Sequence, residues 1–272
     1  MTRLVDDFWK GAALGLLAVT LVFLIGPLIV AVSMSLDARG YLAPFPPKSF
    51  SLRWYAAFFG NEVFIFGLRN SLILGFSATL ISAAFGTLAA LALVNHDFRG
   101  KTLLSALFLS PLMIPAVVVG LALLIFFSRV GIFNGLFRLL CAHTVVTIPF
   151  TIRAALASLA GIRRSYVEAA MSLGANERQA FWDITFPLAK TGIFAGCIFA
   201  FAYSLDDVAV SLFLYDTNST TLPVALVGHM RADFDLSVAA AATFLALITV
   251  LLIVILDRIV GLDRVIGQGL YR

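Results

Sequence analysis

The chain has 272 residues, of which 61% are apolar and 12% charged, against about 25% charged in an ordinary soluble domain. That apolar load excludes a soluble enzyme, and 25 Phe exclude a disordered chain, which is poor in aromatics. The net charge of +4 does not point to nucleic acid, because the basic residues flank apolar runs, and Cys141 and Cys197 lie inside such runs as small buried hydrophobes.

Charge-free runs longer than the roughly 20 residues needed to cross a bilayer occur at 11–36, 70–95, 102–128 and 236–256. Two weaker segments lie between them. Residues 139–152 are bounded by Arg138 and Arg153, and residues 191–215 carry Asp206 and Asp207. With flanking residues borrowed, six helical spans result, at about 11–36, 69–95, 102–128, 135–157, 191–215 and 236–257 of a single 1–272 domain. The runs are continuous rather than alternating, so an all-α polytopic membrane protein is expected and a barrel is not. The first apolar core is too long for a signal-peptide h-region and reads as a retained span.

Pro111 and Pro115 in span three, and Pro149 in span four, are expected to kink or break their helices. The stretch 37–69 holds Pro44, Pro46 and Pro47, then Trp54, Tyr55, Phe58 and Phe59, which predicts a turn followed by an interfacial amphipathic helix. The short 96–101 link makes spans two and three antiparallel neighbours. With the N-terminus inside, 12 Lys and Arg lie inside and 7 outside, so both termini are expected to be cytoplasmic. Gly11–Gly15, Gly131–Gly135 and Gly192–Gly196 have the GxxxG spacing that permits close helix contact. His143 reads as a packing or hydrogen-bonding group, and the polar turn 216–221 as an exposed loop or a contact for a delivery protein. No metal-ligand cluster and no phosphate-binding Gly-rich loop is present, so no metal is expected and ATP hydrolysis is not expected on this chain.

The inner segment 161–190 is the most informative. Residues 165–173 suit a short helix, Gly174 suits a left-handed C-terminal turn, and Asn176 with Gln179 has capping-box spacing for a second helix. The result is helix, Gly turn, helix. Glu168-Ala169-Ala170, three residues, Gly174, nine residues, Ile184, one residue and Phe186-Pro187 resembles the EAA loop of ABC importer permeases, with Phe186 in place of the usual Leu. Residues 110–115 (SPLMIP), 143–150 (HTVVTIPF) and 204–213 (SLDDVAVSLF) extend the resemblance, which is to the second permease of spermidine/putrescine transport systems.

That resemblance implies the type I importer permease fold and a bacterial inner-membrane location. It implies a cytoplasmic loop in which Glu168, Ala169, Ala170, Gly174, Ile184 and Pro187 couple to a separate ATPase. The small alanines let a partner surface approach, and Glu168 offers a carboxylate to a partner Arg or Lys. The implied partners are a second homologous permease, two ATP-binding-cassette subunits that hold ATP and Mg, an extracytoplasmic solute-binding protein and membrane lipid. Catalytic residues and cofactors are not expected on this chain.

Ionisable residues inside a span mark function by default. Asp206 and Asp207, with Tyr203 and Ser204, are therefore candidates for the solute pathway. Adjacent helical residues point about 100° apart, so only one carboxylate can face a given pore line. A carboxylate and an aromatic face (Tyr203, Phe201) suit a cationic solute such as a polyamine. The competing expectation is that both carboxylates pair internally, with Arg231, His229 or backbone amides. Two alternatives stay open: the same role with an aminophosphonate, opine or amino-acid derivative, and an ion-coupled secondary carrier. An intramembrane enzyme would need converging catalytic residues, and the sequence offers no convincing Ser, His and Asp set.

Overall fold

The computed structural model describes residues 2–41, 44–233 and 235–260. Arg264 and Arg272, counted above toward the inner side, lie outside the described residues. Twelve α-helices form among the described residues: α1 (Thr2–Ser35), α2 (Arg53–Gly60), α3 (Glu62–Asn95), α4 (Lys101–Leu109), α5 (Ala116–Val130), α6 (Gly135–Ala160), α7 (Arg164–Ser172), α8 (Glu177–Ala180), α9 (Phe186–Asp206), α10 (Ser211–Leu214), α11 (Leu222–Ala232) and α12 (Ser237–Val260). A 3-10 turn, Ser110–Leu112, follows α4, and a π turn, Phe181–Thr185, joins α8 to α9.

Among the described residues, five helical runs are long and apolar enough to cross a bilayer: Trp9–Ser35, Glu62–Asn95, Gly135–Ala160, Glu177–Asp206 and Ser237–Ile255. Lys101–Leu112 and Ala116–Val130 reach that standard only when taken together, and they meet at 103°, the geometry of a broken span or a re-entrant loop. Pro111 sits in the 3-10 turn and Pro115 caps α5, so the expected proline break is present. Pro149, expected to kink or break its helix, does not break it. It is buried and α6 continues through it, as membrane helices allow when neighbours re-satisfy the freed backbone. The fifth span is also displaced. Its helical run starts at Glu177 and stops at Asp206, not at residue 215, because Asp207 leaves helical geometry (φ −67°, ψ 123°).

The helices sort into two compact units. One comprises residues up to Ile65 together with Leu226–Ile248. Its α1 exposes apolar side chains on every face, Phe23 being 79% exposed, which suits surroundings of lipid or another apolar helix. The helix expected after the proline turn is α2, but two of its aromatics point inward. Trp54 and Phe58 are buried, and Phe58 packs on Phe64 and Phe244 with ring centroids 5.9 and 5.5 Å apart. Tyr55 shares a 3.0 Å hydrogen bond with Ser35.

The second unit, Phe66–Ala225 with the described residues from Thr249 onward, contains both candidate sites. Its centre is the packing of α9 on α6. Gly192 and Gly196 make it possible: a Cβ at Gly192 would overlap Ser158 Oγ, and one at Gly196 would lie 3.0 Å from Thr151 Cα. Of the three GxxxG pairs, this one is a helix interface, whereas Gly11 and Gly15 face open space. Ala90, Ala155 and Ala189 fill the same region with small side chains. Polar bonds cross-link α3 to α6: Ser82 and Thr147 share a hydrogen bond of 2.6 Å, and Thr151 Oγ1 donates to Ser82 O at 2.7 Å. A second core gathers Leu74, Val119, Phe127, Leu139, Val146, Val210 and Leu214 from α3, α5, α6, the α9–α10 link and α10.

Candidate functional site

The Gly174 corner is built almost wholly from local hydrogen bonds. At the end of α7, Ala175 N–H donates to Ala170 O (3.1 Å) and Gly174 N–H to Met171 O (3.0 Å). This is the Schellman pattern, which requires a left-handed residue at the turn. Gly174 supplies it, with φ +95°. One residue later, Asn176 Oδ1 accepts from Gln179 N–H and Gln179 Oε1 accepts from Asn176 N–H, both at 2.9 Å. The capping box read from spacing is thus formed. Backbone groups on both sides of the corner are satisfied, so the angle between α7 and α8 is set within a few residues.

Glu168 and Ala169 are exposed, Ala170 is half-buried, and Leu173 at the tip is 90% exposed. Glu168 pairs with Arg164 one turn back at 3.2 Å, with both side chains largely solvated. Ile184 lies in the π turn and Pro187 in the first turn of α9. Proline lacks the N–H that Asp183 O would otherwise accept from, and its ring crowds that carbonyl. A widened turn immediately before it accommodates both effects. Behind α7 lies a cleft of about 480 Å³ lined by residues including Leu91, His96, Leu159, Arg164, Met171 and Phe181. From Glu177 to Asp206 the chain is one helical run of 30 residues, about 45 Å long at 1.5 Å per residue. The corner and the acidic pair are therefore the two ends of one element.

At the far end the two carboxylates part company. Asp207 is buried, and its carboxylate accepts from Val210 N–H (3.2 Å), Ser211 N–H (2.9 Å) and Ser211 Oγ–H (3.0 Å). It caps the start of α10, as the internal-pairing expectation allowed, though through backbone amides and Ser211. His229, offered above as a partner, faces Asp235 at 3.4 Å. Asp206 is exposed and makes no hydrogen bond or ion pair among the described residues.

The residue that sequence reasoning left outside the site is His143. It is fully buried on α6, with Nδ1 2.7 Å from Ser204 Oγ and Nε2 2.9 Å from Ser211 Oγ. Ser211 donates its hydroxyl proton to Asp207, so its oxygen accepts from His143 Nε2–H, and Nδ1 shares a hydrogen bond with the Ser204 hydroxyl. The arrangement holds the imidazole between two hydroxyls, with Nε2 3.8 Å from Asp207 Oδ2. It does not place the histidine as a base for Ser211, whose proton goes to Asp207. The available signal was spacing: Ser204 and Ser211 stand three before and four after Asp207. Of the other pathway candidates, Ser204 is buried on His143 and Tyr203 is half-buried against Phe150 (5.1 Å). Phe201 is buried on Phe76.

The turn after α10 is tied down. Asp216 accepts from Gly135 N–H (2.8 Å) at the start of α6, from Ser219 Oγ–H (2.7 Å) and from Asn218 N–H (3.0 Å). The Ser219 hydroxyl holds the Asp216 carboxyl below the usual carboxylate range; burial opposes this, and the two N–H donors and the Arg138 charge add to it. Asn70 Nδ2 donates to Thr220 O and Leu222 N–H to Ser71 Oγ. Only Thr217 and Asn218 of the 216–221 turn are exposed.

Residues 82–262 match the family model described as "Binding-protein-dependent transport system inner membrane component". The chain belongs to this family. It is 31% identical over 229 residues to the spermidine/putrescine transport system permease protein PotC of Haemophilus influenzae, covering 84% of this chain and 88% of that one. It is also 31% identical over 244 residues to the probable molybdenum ABC transporter permease protein of Haloferax volcanii, covering 86% and 85%. Its fold is shared with a chain of a bacterial alginate ABC transporter solved in complex with an alginate pentasaccharide-bound periplasmic protein (TM-score 0.70, 18% identity, 97% of each chain). The protein is thus a multi-pass inner-membrane permease subunit of an ABC importer and is not an enzyme, ATP hydrolysis belonging to a separate subunit. Family membership sets aside the ion-coupled carrier.

Proposed function

We propose that this permease forms part of the translocation path for a small cationic solute of the polyamine class and that the Gly174 corner docks on the ATPase. The observation that carries the first half is Asp206, an exposed carboxylate with no partner among the described residues, at the end of a membrane helix. An ionised Asp at a span centre costs roughly 2.5–3.5 kcal/mol, so a bare one belongs in water or beside a cation. Its half-buried neighbour Tyr203 offers an aromatic face of the kind ammonium groups favour.

In this reading the corner is cytoplasmic, as are both termini, and Asp206 lies toward the outer side. A second homologous permease completes the path, two ATPase subunits hold ATP and Mg, and an extracytoplasmic binding protein delivers the solute. ATPase closure displaces α7. The continuous run from Glu177 to Asp206 carries that displacement across the membrane, giving alternating access. The molybdenum-transporter relative, as similar in identity as the polyamine one, keeps a second solute class in play. The deciding experiment is uptake of labelled spermidine into vesicles carrying the intact complex. Wild type imports and Asp206→Asn loses import with ATPase retention unchanged. Equal import by both removes Asp206 from the path.

A further inference from the structure

Asp206 is the last residue of α9, and a helix end of that kind frays unless something holds it. The restraint comes from the neighbouring residues on both sides of the break. Ser204, within α9, and Ser211, the first residue of α10, are joined through one imidazole, His143 of α6. Asp207 closes the ring by accepting from Ser211 Oγ and from two backbone N–H groups of the same turn. His143, Ser204, Asp207 and Ser211 are all buried. Val210, inside the break, is buried against Gly120 of α5, where an added Cβ would lie 3.1 Å from Val210 Cα. The break is therefore pinned on two sides, and Asp206, between two pinned residues, is the acidic residue left facing outward.

We propose that His143 is a positioning residue for the solute path: with Ser204, Ser211 and Asp207 it clamps the α9–α10 break and so fixes the direction in which Asp206 projects. The adjacent carboxylates then have separate duties. Asp207 is consumed by the clamp, and Asp206 alone meets the cation. The assignment of Asp206 to a cation path rests on the function proposed above, whereas the clamp itself does not. An apolar residue at 143 would fill the space but remove the hydrogen bonds that tie Ser204 and Ser211 to α6, leaving Ser211 held by Asp207 alone. The break would then be free to turn Asp206 away.

The test reads the position of residue 206 directly. In the full chain, assembled with its partners in membranes, Cys141 and Cys197 are replaced by Ala and Asp206→Cys is introduced. The labelling rate is measured with a cationic, membrane-impermeant methanethiosulfonate. Against this background, Ser211→Ala and His143→Leu are expected to lower the rate about tenfold, on the scale of one hydrogen bond to a charged group. His143→Gln, which retains a donor at the depth of Nε2, is expected to restore it to within about threefold, since the Ser211 bond is remade. Ser204→Ala, which removes a single hydroxyl, serves where a harsher variant does not assemble, and a fall in rate is expected there too. An unchanged rate in the assembled variants overturns the clamp. Spermidine uptake by Asp206→Asn is scored separately. Normal uptake with a clamp-dependent labelling rate refutes the solute path and leaves the clamp standing. Lost uptake with a clamp-independent rate does the reverse.

Discussion

The Gly174 corner separates backbone geometry from side-chain contact. Gly174 has φ +95°, and a Cβ built there meets nothing within 4 Å. Gly174→Ala therefore introduces no clash, and its whole cost is the left-handed backbone, about 1–2 kcal/mol for an ordinary L-residue. Two hydrogen bonds of the Schellman turn depend on that backbone. If local bonds alone hold α7 at its angle, the ratio of formed to unformed corner falls about 5- to 30-fold. Asn visits the left-handed region more readily than Ala, and a β-branched residue hardly at all. The expected order of ATPase retention and of binding-protein-stimulated ATPase rate is Gly, then Asn, then Ala, then Val. The assay is co-purification of the tagged complex followed by ATP hydrolysis at fixed subunit ratio. Equal coupling by Gly174→Ala and wild type, or Ala outperforming Asn, refutes the argument that backbone conformation at this corner sets coupling.

Three further outcomes are expected. Glu168→Ala should reduce ATPase retention in the same co-purification while Arg164→Ala leaves it unchanged, because the pair they form is solvated and contributes little. Gly192→Val should sharply lower the yield of folded chain in a detergent thermal-shift assay, since even its Cβ would overlap Ser158, whereas Gly11→Val, in open space, should be neutral. Asp216 has a depressed pKa in the folded chain, so its contribution is present above the unfolded carboxylate pKa and is lost as pH falls through the folded value. The thermal midpoint should therefore drop on acidification in wild type and drop less in Asp216→Asn.

Composition and charge-free run length determined by themselves that this is a helical membrane protein, because a span needs only apolar residues in number and the bilayer does the rest. The corner was equally legible, for Gly174, Asn176 and Gln179 act through bonds reaching no more than five residues along the chain. The motif around them pointed to the family on the same local basis. What only the tertiary structure decided is which polar residues meet. His143 lies 61 and 68 residues from its two serines, and no periodicity in one helix reports a partner on another. The same holds for Asp206 and Asp207, adjacent in sequence and chemically identical, since their difference arises where α9 stops and Asp207 turns back to cap α10. Pro149 passing through α6 without breaking it, and Gly192 serving as a contact where Gly11 does not, have the same cause. Burial and close approach are properties of the neighbouring helix, which a single stretch of sequence does not contain.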